Sequence, residues 1–207
     1  QKYMETKEQY KDCILFYRLG DFYEMFFDDA LVASKELEIT LTGKSCGLEE
    51  RAPMCGIPYH AVEGYLSKLV SRGYKVAICE QVEDPKLAKG LVKREVIRVV
   101  TPGTNLNVQS LEAGKNNYLL SIAYTPDGIG ISAADVTTGD YYVTEVEDLK
   151  KLNDELMKYE PSEIICNEAF LVSGFDVNDL KSRLHISVNA LESHMFDDDG
   201  CRRILMK

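Results

Sequence analysis

The 207-residue sequence predicts an α/β protein with two mixed-sheet domains, the first of which has α+β character. In the first half, strand-like and helix-like segments alternate, which is typical of sheets that carry helices on their faces. In the second half, three consecutive strand-like runs precede a helix and another strand, which predicts a mixed sheet. The length allows a core in each domain, and 45% hydrophobic and 28% charged residues are ordinary for a globular protein.

Strand-like segments open the first half. They are CILFYRL and DFYEMF, on either side of Gly20, and both are rich in aromatic and aliphatic residues. Asp28 or Asp29 is expected to cap a helix through DALVASKEL, and ITLT is expected to form a short strand. The stretch GKSCGLEERAPMCGIP is interpreted as the loop that follows this helix, because it is punctuated by Gly and Pro.

An amphipathic helix is predicted over HAVEGYLSKLVSRG, and Gly73 is expected to end it. Five apolar residues recur there at helical spacing and predict one buried stripe, namely Val62, Tyr65, Leu66, Leu69 and Val70. The next segments, YKVAICEQV and REVIRVV, have the composition of strands, and Pro102 and Gly103 are expected to end the second of them. These segments complete the predicted first domain.

A polar, turn-rich segment, NLNVQSLEAGKNN, separates the halves and predicts domains at residues 1–109 and 110–207. The second domain begins with three strand-like runs, YLLSIAY, GIGISAADV and DYYVTEV, separated by Asp-Gly and Gly-Asp turns. The helix EDLKKLNDELMKY is expected to stop before Pro161, and EIICN to form the next strand. The last segment, DDDGCRRILMK, has the pattern of a helix start, so we expect the second domain to be truncated at its C-terminal end.

The charge is unevenly distributed along the chain. Residues 1–109 contain 15 Lys and Arg against 16 Asp and Glu, whereas residues 110–207 contain 9 against 18. The formal net charge of −10 argues against a generic nucleic-acid binder, but the acidity belongs to the second half.

The expected location is the cytoplasm. No apolar run is long enough to cross a membrane, and the N-terminal segment is too polar for a signal peptide. The six cysteines form no CxxC pair and several lie in apolar runs, so we expect reduced thiols in the core and no metal site.

Three motifs suggest enzymatic functions. TGKS resembles the end of a phosphate-binding loop, but Glu38 stands where that motif requires Gly. GIGISA matches a dinucleotide fingerprint, but strand-like residues lie on both sides of it. Asp135 and Asp140 leave open a metal-dependent nuclease that uses the second half, because such enzymes gather carboxylates around paired cations.

Phe22 and Glu24 lie two residues apart in a predicted strand, so we expect their side chains to project from the same face. An isolated Phe-x-Glu is usually a core aromatic residue next to a solvated carboxylate. Here it lies within long segments, ILFYRLGDFYEMFFDDALVASKELEITLT, PMCGIPYHAVEGYLSKLVSRGYKVAICEQVEDP and REVIRVVTPGT. From about Tyr10 to Thr104, these closely resemble the mismatch-recognition domain of the MutS family of bacterial DNA mismatch repair proteins.

The second half resembles the connector domain of the same family, more weakly, through NYLLSIAY, ADVTTGDYYVTEV and PSEIICNE. This resemblance implies an RNase H-like α/β unit that transmits the state of the clamp and offers a surface to a MutL-like repair factor.

The resemblance also implies roles for individual residues of the first domain. Phe22 would enter the minor groove of kinked duplex DNA and stack on a mispaired or unpaired base, and Glu24 would hydrogen-bond that base. Backbone contacts are expected from Lys44, which the family's loop brings close to DNA, and from Arg51. Further candidate cations are Lys86, Lys89, Lys93, Arg94 and Arg98. Met54 is expected to be either a neighbour of the groove or a core methionine.

For the full-length protein, the resemblance implies a homodimer and an ATPase that uses ATP and magnesium, in regions outside these domains. We therefore expect no cofactor and no catalytic activity in this part. Besides the nuclease, one alternative remains, a protein-interaction scaffold in which Phe22 is buried. The exposure of Phe22 distinguishes a wedge from such a scaffold.

Overall fold

The computed structural model describes residues 2–45, 47, 50–83, 92–106 and 115–207. The chain forms two compact units, Gln1–Thr101 and Pro102–Lys207. The predicted boundary between residues 109 and 110 lies outside the described residues. Each unit combines a mixed sheet with helices, so the predicted α/β fold class is confirmed.

The first unit contains six strands and three α-helices within its described residues. In chain order they are α1 (Lys2–Gln9), β1 (Cys13–Leu19), β2 (Phe22–Phe26), α2 (Phe27–Leu37), β3 (Thr42–Lys44), β4 (Ala52–Pro58), α3 (Val62–Val70), β5 (Lys75–Gln81) and β6 (Arg94–Val100). The strands form one sheet in the order β3-β4-β2-β1-β5-β6. β1 and β5 run parallel, and the other neighbouring strands run antiparallel.

The two faces of this sheet are covered differently. One face packs against α2 and α3, where Met25 and Leu69 are fully buried, and the predicted stripe of α3 faces this core. Because side chains alternate along a strand, Tyr17 and Phe26 point to the opposite face. There the ring of Tyr3, from α1, packs against both of their rings. This second face is the one that carries Phe22 and Glu24.

β4 corrects the prediction of a loop over residues 43–58. It lies between β3 and β2, where Cys55 and Ile57 are buried and alternate with Met54 and Gly56. This alternation is short and interrupted by Gly and Pro, which normally indicate a turn, so the strand was missed. The predicted strand ITLT is also wrong, because the strand at this place is Thr42–Lys44.

The predicted cap of α2 is wrong as well. Asp28 and Asp29 lie within the first turn of α2, which has no side-chain cap. The buried Asp29 carboxylate instead accepts hydrogen bonds from the hydroxyl of Tyr3 at 2.9 Å, the amide of Leu15 at 3.0 Å and the ammonium of Lys7 at 2.9 Å. Three donors offset the cost of burying this carboxylate, and they join α1 and β1 to α2.

Within its described residues, the second unit contains a five-stranded sheet, and its core also includes Leu152, Leu156, Phe170 and Leu180 from three helices. Its elements are β7 (Tyr118–Thr125), β8 (Gly128–Asp135), β9 (Asp140–Val146), α4 (Leu149–Tyr159), β10 (Glu163–Cys166), α5 (Glu168–Leu171), α6 (Val177–Ser182), β11 (Ser187–Ala190) and α7 (Asp198–Leu205). The strand order is β11-β10-β7-β8-β9. β7, β8 and β9 pair antiparallel, whereas β10 pairs parallel with both β7 and β11.

Most predicted elements of the second unit are confirmed. The three strand-like runs, the helix, the following strand and the terminal helix all form, while α5, α6 and β11 were not predicted. Asp148 caps α4 by accepting a hydrogen bond from the amide of Lys151 at 2.8 Å. The helix ends at Glu160, which has a left-handed backbone, just before Pro161. None of the helices in the described residues is both long and apolar enough to span a membrane.

Four cysteine thiols are buried, as predicted: Cys13, Cys55, Cys79 and Cys166. Burial raises the pKa of Cys13, Cys55 and Cys79 to about 11, so these thiols stay protonated at neutral pH. A protonated, inaccessible thiol is a packing group with little reactivity. Cys46 lies outside the described residues.

Candidate nucleic-acid interface

Phe22 and Glu24 project from the same face of β2. Their neighbours Tyr23 and Met25 point to the opposite face and are 4% and 0% exposed. Phe22, by contrast, is 46% exposed, although β2 is an interior strand between β4 and β1. The structure thus presents an aromatic ring to solvent beside a carboxylate, and the scaffold hypothesis that required a buried Phe22 is wrong.

Tyr23 anchors this strand from the other face. Its hydroxyl donates a hydrogen bond to the carboxylate of Glu80 on β5, and the guanidinium of Arg18 lies 3.2 Å from the same carboxylate. Burial, together with Glu80, raises the pKa of Tyr23, which keeps the hydroxyl protonated and able to donate. Tyr23 therefore links β2 to β5, which lies on the other side of β1.

An open groove of about 550 Å³ lies beside the two residues. Its lining residues are Phe22, Glu24, Glu38, Ile39, Thr40, Thr42, Met54, Cys55 and Gly56. Gly56 is paired directly with Glu24 across β2 and β4. A side chain at Gly56 would begin 3.6 Å from Cγ of Glu24 and 3.8 Å from Cδ1 of Phe22. The glycine thus leaves room beside both functional side chains, and sequence reasoning missed it because β4 was interpreted as a loop.

Lys44 lies at the end of β3 and contacts Glu24. Its Nζ is 2.6 Å from Oε2 of Glu24 and 5.6 Å from the ring centroid of Phe26. The Glu24 side chain is only 16% exposed, whereas that of Lys44 is 41% exposed. The expected contact of Lys44 with the DNA backbone stays a prediction, and the structure pairs its ammonium with the carboxylate of Glu24. Nothing in the sequence pattern indicates this pair, because β4 lies between the two strands.

Met54 and Arg51 lie on or next to β4 and differ in their surroundings. Met54 is half-buried, packs against the cluster that includes Phe26, and also lines the protein groove beside Phe22, and its contact with the DNA minor groove stays a prediction. Arg51 is exposed, and its guanidinium donates a hydrogen bond to the carbonyl of Gly43 in the neighbouring strand. Arg51 is not among the residues lining the groove, so the structure does not bring it to Phe22.

The described members of the basic run are engaged within the first unit. Lys93 pairs with Glu95, and the guanidinium of Arg98 lies 3.8 Å from a carboxylate oxygen of Glu63. The other described cation, Arg94, donates to the carbonyl of Arg18 at 2.7 Å and lies 5.4 Å from the ring centroid of Tyr17. Lys86 and Lys89 lie outside the described residues.

Asp135 does not resemble a metal ligand. It is 0% exposed, and its carboxylate accepts hydrogen bonds from the amides of Asn117 and Thr137, the Thr137 hydroxyl and the Asn116 side chain, at 2.6–3.0 Å. Burial alone would raise the pKa of Asp135, but these hydrogen bonds outweigh it and lower the pKa. Within the part of the chain that the structure describes, no three His, Cys, Asp or Glu side chains form a potential metal site. Nothing here favours the nuclease.

The chain thus forms two mixed α/β units, and the first of them exposes the ring of Phe22 beside Glu24. Comparison with known proteins gives its family. The model described as MutS domain I matches residues 1–109, and the model described as MutS domain II matches residues 117–197. The chain therefore belongs to the MutS family of DNA mismatch repair proteins.

Two relatives illustrate the similarity. The DNA mismatch repair protein MutS of Lachnoclostridium phytofermentans is 71% identical over 199 residues, which are 96% of this chain and 21% of that protein. The protein of the same name from Acetivibrio thermocellus is 56% identical over 202 residues, which are 96% of this chain and 23% of that protein. The chain thus spans between a fifth and a quarter of the length of these relatives.

Proposed function

We propose that the first unit recognises mispaired and unpaired bases in duplex DNA by inserting Phe22 into the minor groove. In this proposal Phe22 stacks on the defective base, and Glu24 hydrogen-bonds the same base. The observation that carries it is the 46% exposure of Phe22 on an interior strand, on the same face as Glu24. The ring also borders the open groove of about 550 Å³, and this combination of an exposed ring and a concave surface supports a binding site.

The physical basis of discrimination is the deformability of DNA. Inserting an aromatic side chain between base pairs costs a few kcal/mol of unstacking per step. This cost is lowest where pairing is already defective, so the same wedge binds a mispair more tightly than a matched step. The inserted ring must be held by a rigid strand, and Tyr23 and Met25, which are buried on the other face of β2, keep this strand in place.

The other groove residues act around this wedge. Met54 offers an apolar surface next to the inserted ring, and Gly56 leaves space for the edge of the displaced base. Arg51, which is exposed next to β4, is the cation we propose to contact a phosphate.

The whole-protein functions follow from the family and are proposals for this chain. We propose that the 207 residues act within a longer MutS polypeptide that dimerises on DNA and uses ATP and magnesium in other domains. The second unit, with its excess of acidic residues, would act as connector and bind a MutL-like factor. No catalytic step is proposed for either unit.

The test is equilibrium binding to a duplex with one G·T mispair and to its matched counterpart, at fixed salt. It uses a full-length MutS polypeptide in which these 207 residues form the corresponding segment. Phe22→Ala should abolish the preference for the mispair and retain weak nonspecific binding, because backbone contacts do not read the mispair. Tyr141→Ala, at an aromatic residue 59% exposed in the second unit, is the matched control and should keep the preference. An unchanged preference in Phe22→Ala would refute the proposal.

A further inference from the structure

We infer that Lys44 acts through Glu24, as the counter-cation that lets this carboxylate enter a groove lined by phosphates. This inference rests on the proposed function of Phe22 and Glu24. It replaces the expectation that Lys44 is an independent contact to the DNA backbone.

The contact geometry supports a specific pair. Nζ of Lys44 lies 2.6 Å from Oε2 of Glu24, a distance typical of a charge-assisted hydrogen bond. The aliphatic part of Lys44 must cross β4 to reach β2, and its ammonium also lies 5.6 Å from the centre of the Phe26 ring. The position of the Lys44 ammonium is therefore set by its own strand, β3, and by its contacts with Glu24 and Phe26 on β2.

The burial of the Glu24 side chain explains why its carboxylate needs a cation beside it. The Glu24 side chain is 16% exposed, so it has lost most of the water that would stabilise its charge. Among the described residues, Lys44 is the donor that hydrogen-bonds the Glu24 carboxylate. DNA phosphates would add repulsion on binding, and an adjacent cation offsets both penalties.

An independent phosphate contact and a counter-cation of Glu24 predict different coupling between substitutions at residues 44 and 24. A lysine that contacts a phosphate contributes to binding whether or not residue 24 is charged. A lysine that offsets the charge of Glu24 contributes only while that charge is present. A double-mutant cycle separates the two cases, because it measures whether one substitution changes the effect of the other.

The experiment measures binding of matched and G·T duplexes by the full-length polypeptide with Lys44→Met, Glu24→Gln and both substitutions. In the wild-type background, Lys44→Met should weaken binding to both duplexes by about fivefold, the size expected for a partly exposed ion pair. In the Glu24→Gln background, the same substitution should change binding by less than about twofold. Lys44→Arg should retain most of the affinity, because it keeps the positive charge.

The matched control is Lys75→Met. Lys75 lies on β5, where its Nζ is 2.7 Å from a carboxylate oxygen of Asp12, and this pair is outside the residues that line the groove. Its loss should leave both affinities unchanged and should show no coupling to Glu24→Gln.

Two outcomes would overturn the inference. An equal loss from Lys44→Met in both backgrounds would identify an independent phosphate contact, and no loss in either would make the pair irrelevant to DNA binding. Both leave the proposed function intact if Phe22→Ala still abolishes the mispair preference. If Phe22→Ala keeps that preference, the proposed function fails, and this inference fails with it.

Discussion

Both units place aromatic rings close to a carboxylate on a strand, but they use the combination in opposite ways. In the first unit, Phe22 is exposed, and Glu24 has one cation as its partner among the residues that the structure describes. In the second unit, Tyr118 lies opposite Asp135 in the sheet and packs with two other tyrosines, while four hydrogen bonds satisfy the carboxylate of Asp135. A carboxylate that has all its partners within the protein is a structural group, whereas one with spare acceptor positions can bind a ligand.

The largest expected effect is the loss of stability when the buried carboxylate of Asp135 is removed. Asp135→Ala should lower the free energy of unfolding by about 3 kcal/mol, because it leaves several buried donors unsatisfied. Asp127→Ala, in the exposed turn between β7 and β8, should change it by less than about 0.5 kcal/mol. Urea unfolding followed by tyrosine fluorescence measures both values. A small effect of Asp135→Ala would show that this carboxylate is dispensable.

The same carboxylate predicts a pH dependence with a defined sign. Its pKa is lower in the folded protein than the ordinary value of 3.8, so the unfolded chain binds more protons in this range. The stabilisation is therefore present above the unfolded pKa and is lost as the pH falls through the folded pKa. Asp135→Asn should flatten the decrease in stability as the pH falls below about 4, and a decrease as steep as that of the unmodified chain would assign it to other groups.

The next effect concerns the space beside Phe22 and Glu24. Gly56→Leu should weaken binding to a G·T duplex by about tenfold or more, because the new side chain fills the groove beside Phe22 and Glu24. Gly56→Ala should change stability by less than about 1 kcal/mol, since its Cβ would meet other atoms at 3.4 Å or more. Gly64→Leu, at an exposed position of α3 with open space around it, is the control for adding the same side chain. Unchanged mispair binding in Gly56→Leu would show that the groove is not used.

The smallest effect sharpens the role of the Glu24 charge. Glu24→Gln should tighten binding to both duplexes by about threefold and preserve the mispair preference, because an amide is not repelled by phosphates and still forms hydrogen bonds. The affinity for each duplex at two salt concentrations checks this, since electrostatic repulsion weakens as salt increases. A lost preference would mean that discrimination requires the negative charge itself.

The sequence predicted the face of Phe22 and Glu24 correctly, because the alternation of side chains in a strand is a local property. It did not predict β4, where Gly and Pro obscure the alternation of Cys55 and Ile57, and so Gly56 was missed. The pairing of Lys44 with Glu24 depends on two strands that are neighbours of β4 and distant in sequence. Local patterns carry no information about such a contact, and the family resemblance pointed only to a lysine near DNA.

The hydrogen bond of Tyr23 has a mechanical consequence. A side chain pushed between stacked bases experiences an equal reaction force, which acts back through the side chain onto its own strand. Tyr23 links β2 to Glu80 on β5 and thereby spans β1, so this load is distributed over three strands instead of bending one. The stiffness of this support sets how much of the strain is taken up by the DNA and how much by the protein. A compliant support would yield equally to sound and defective base pairs, whereas a stiff one makes the duplex bend at its weakest step.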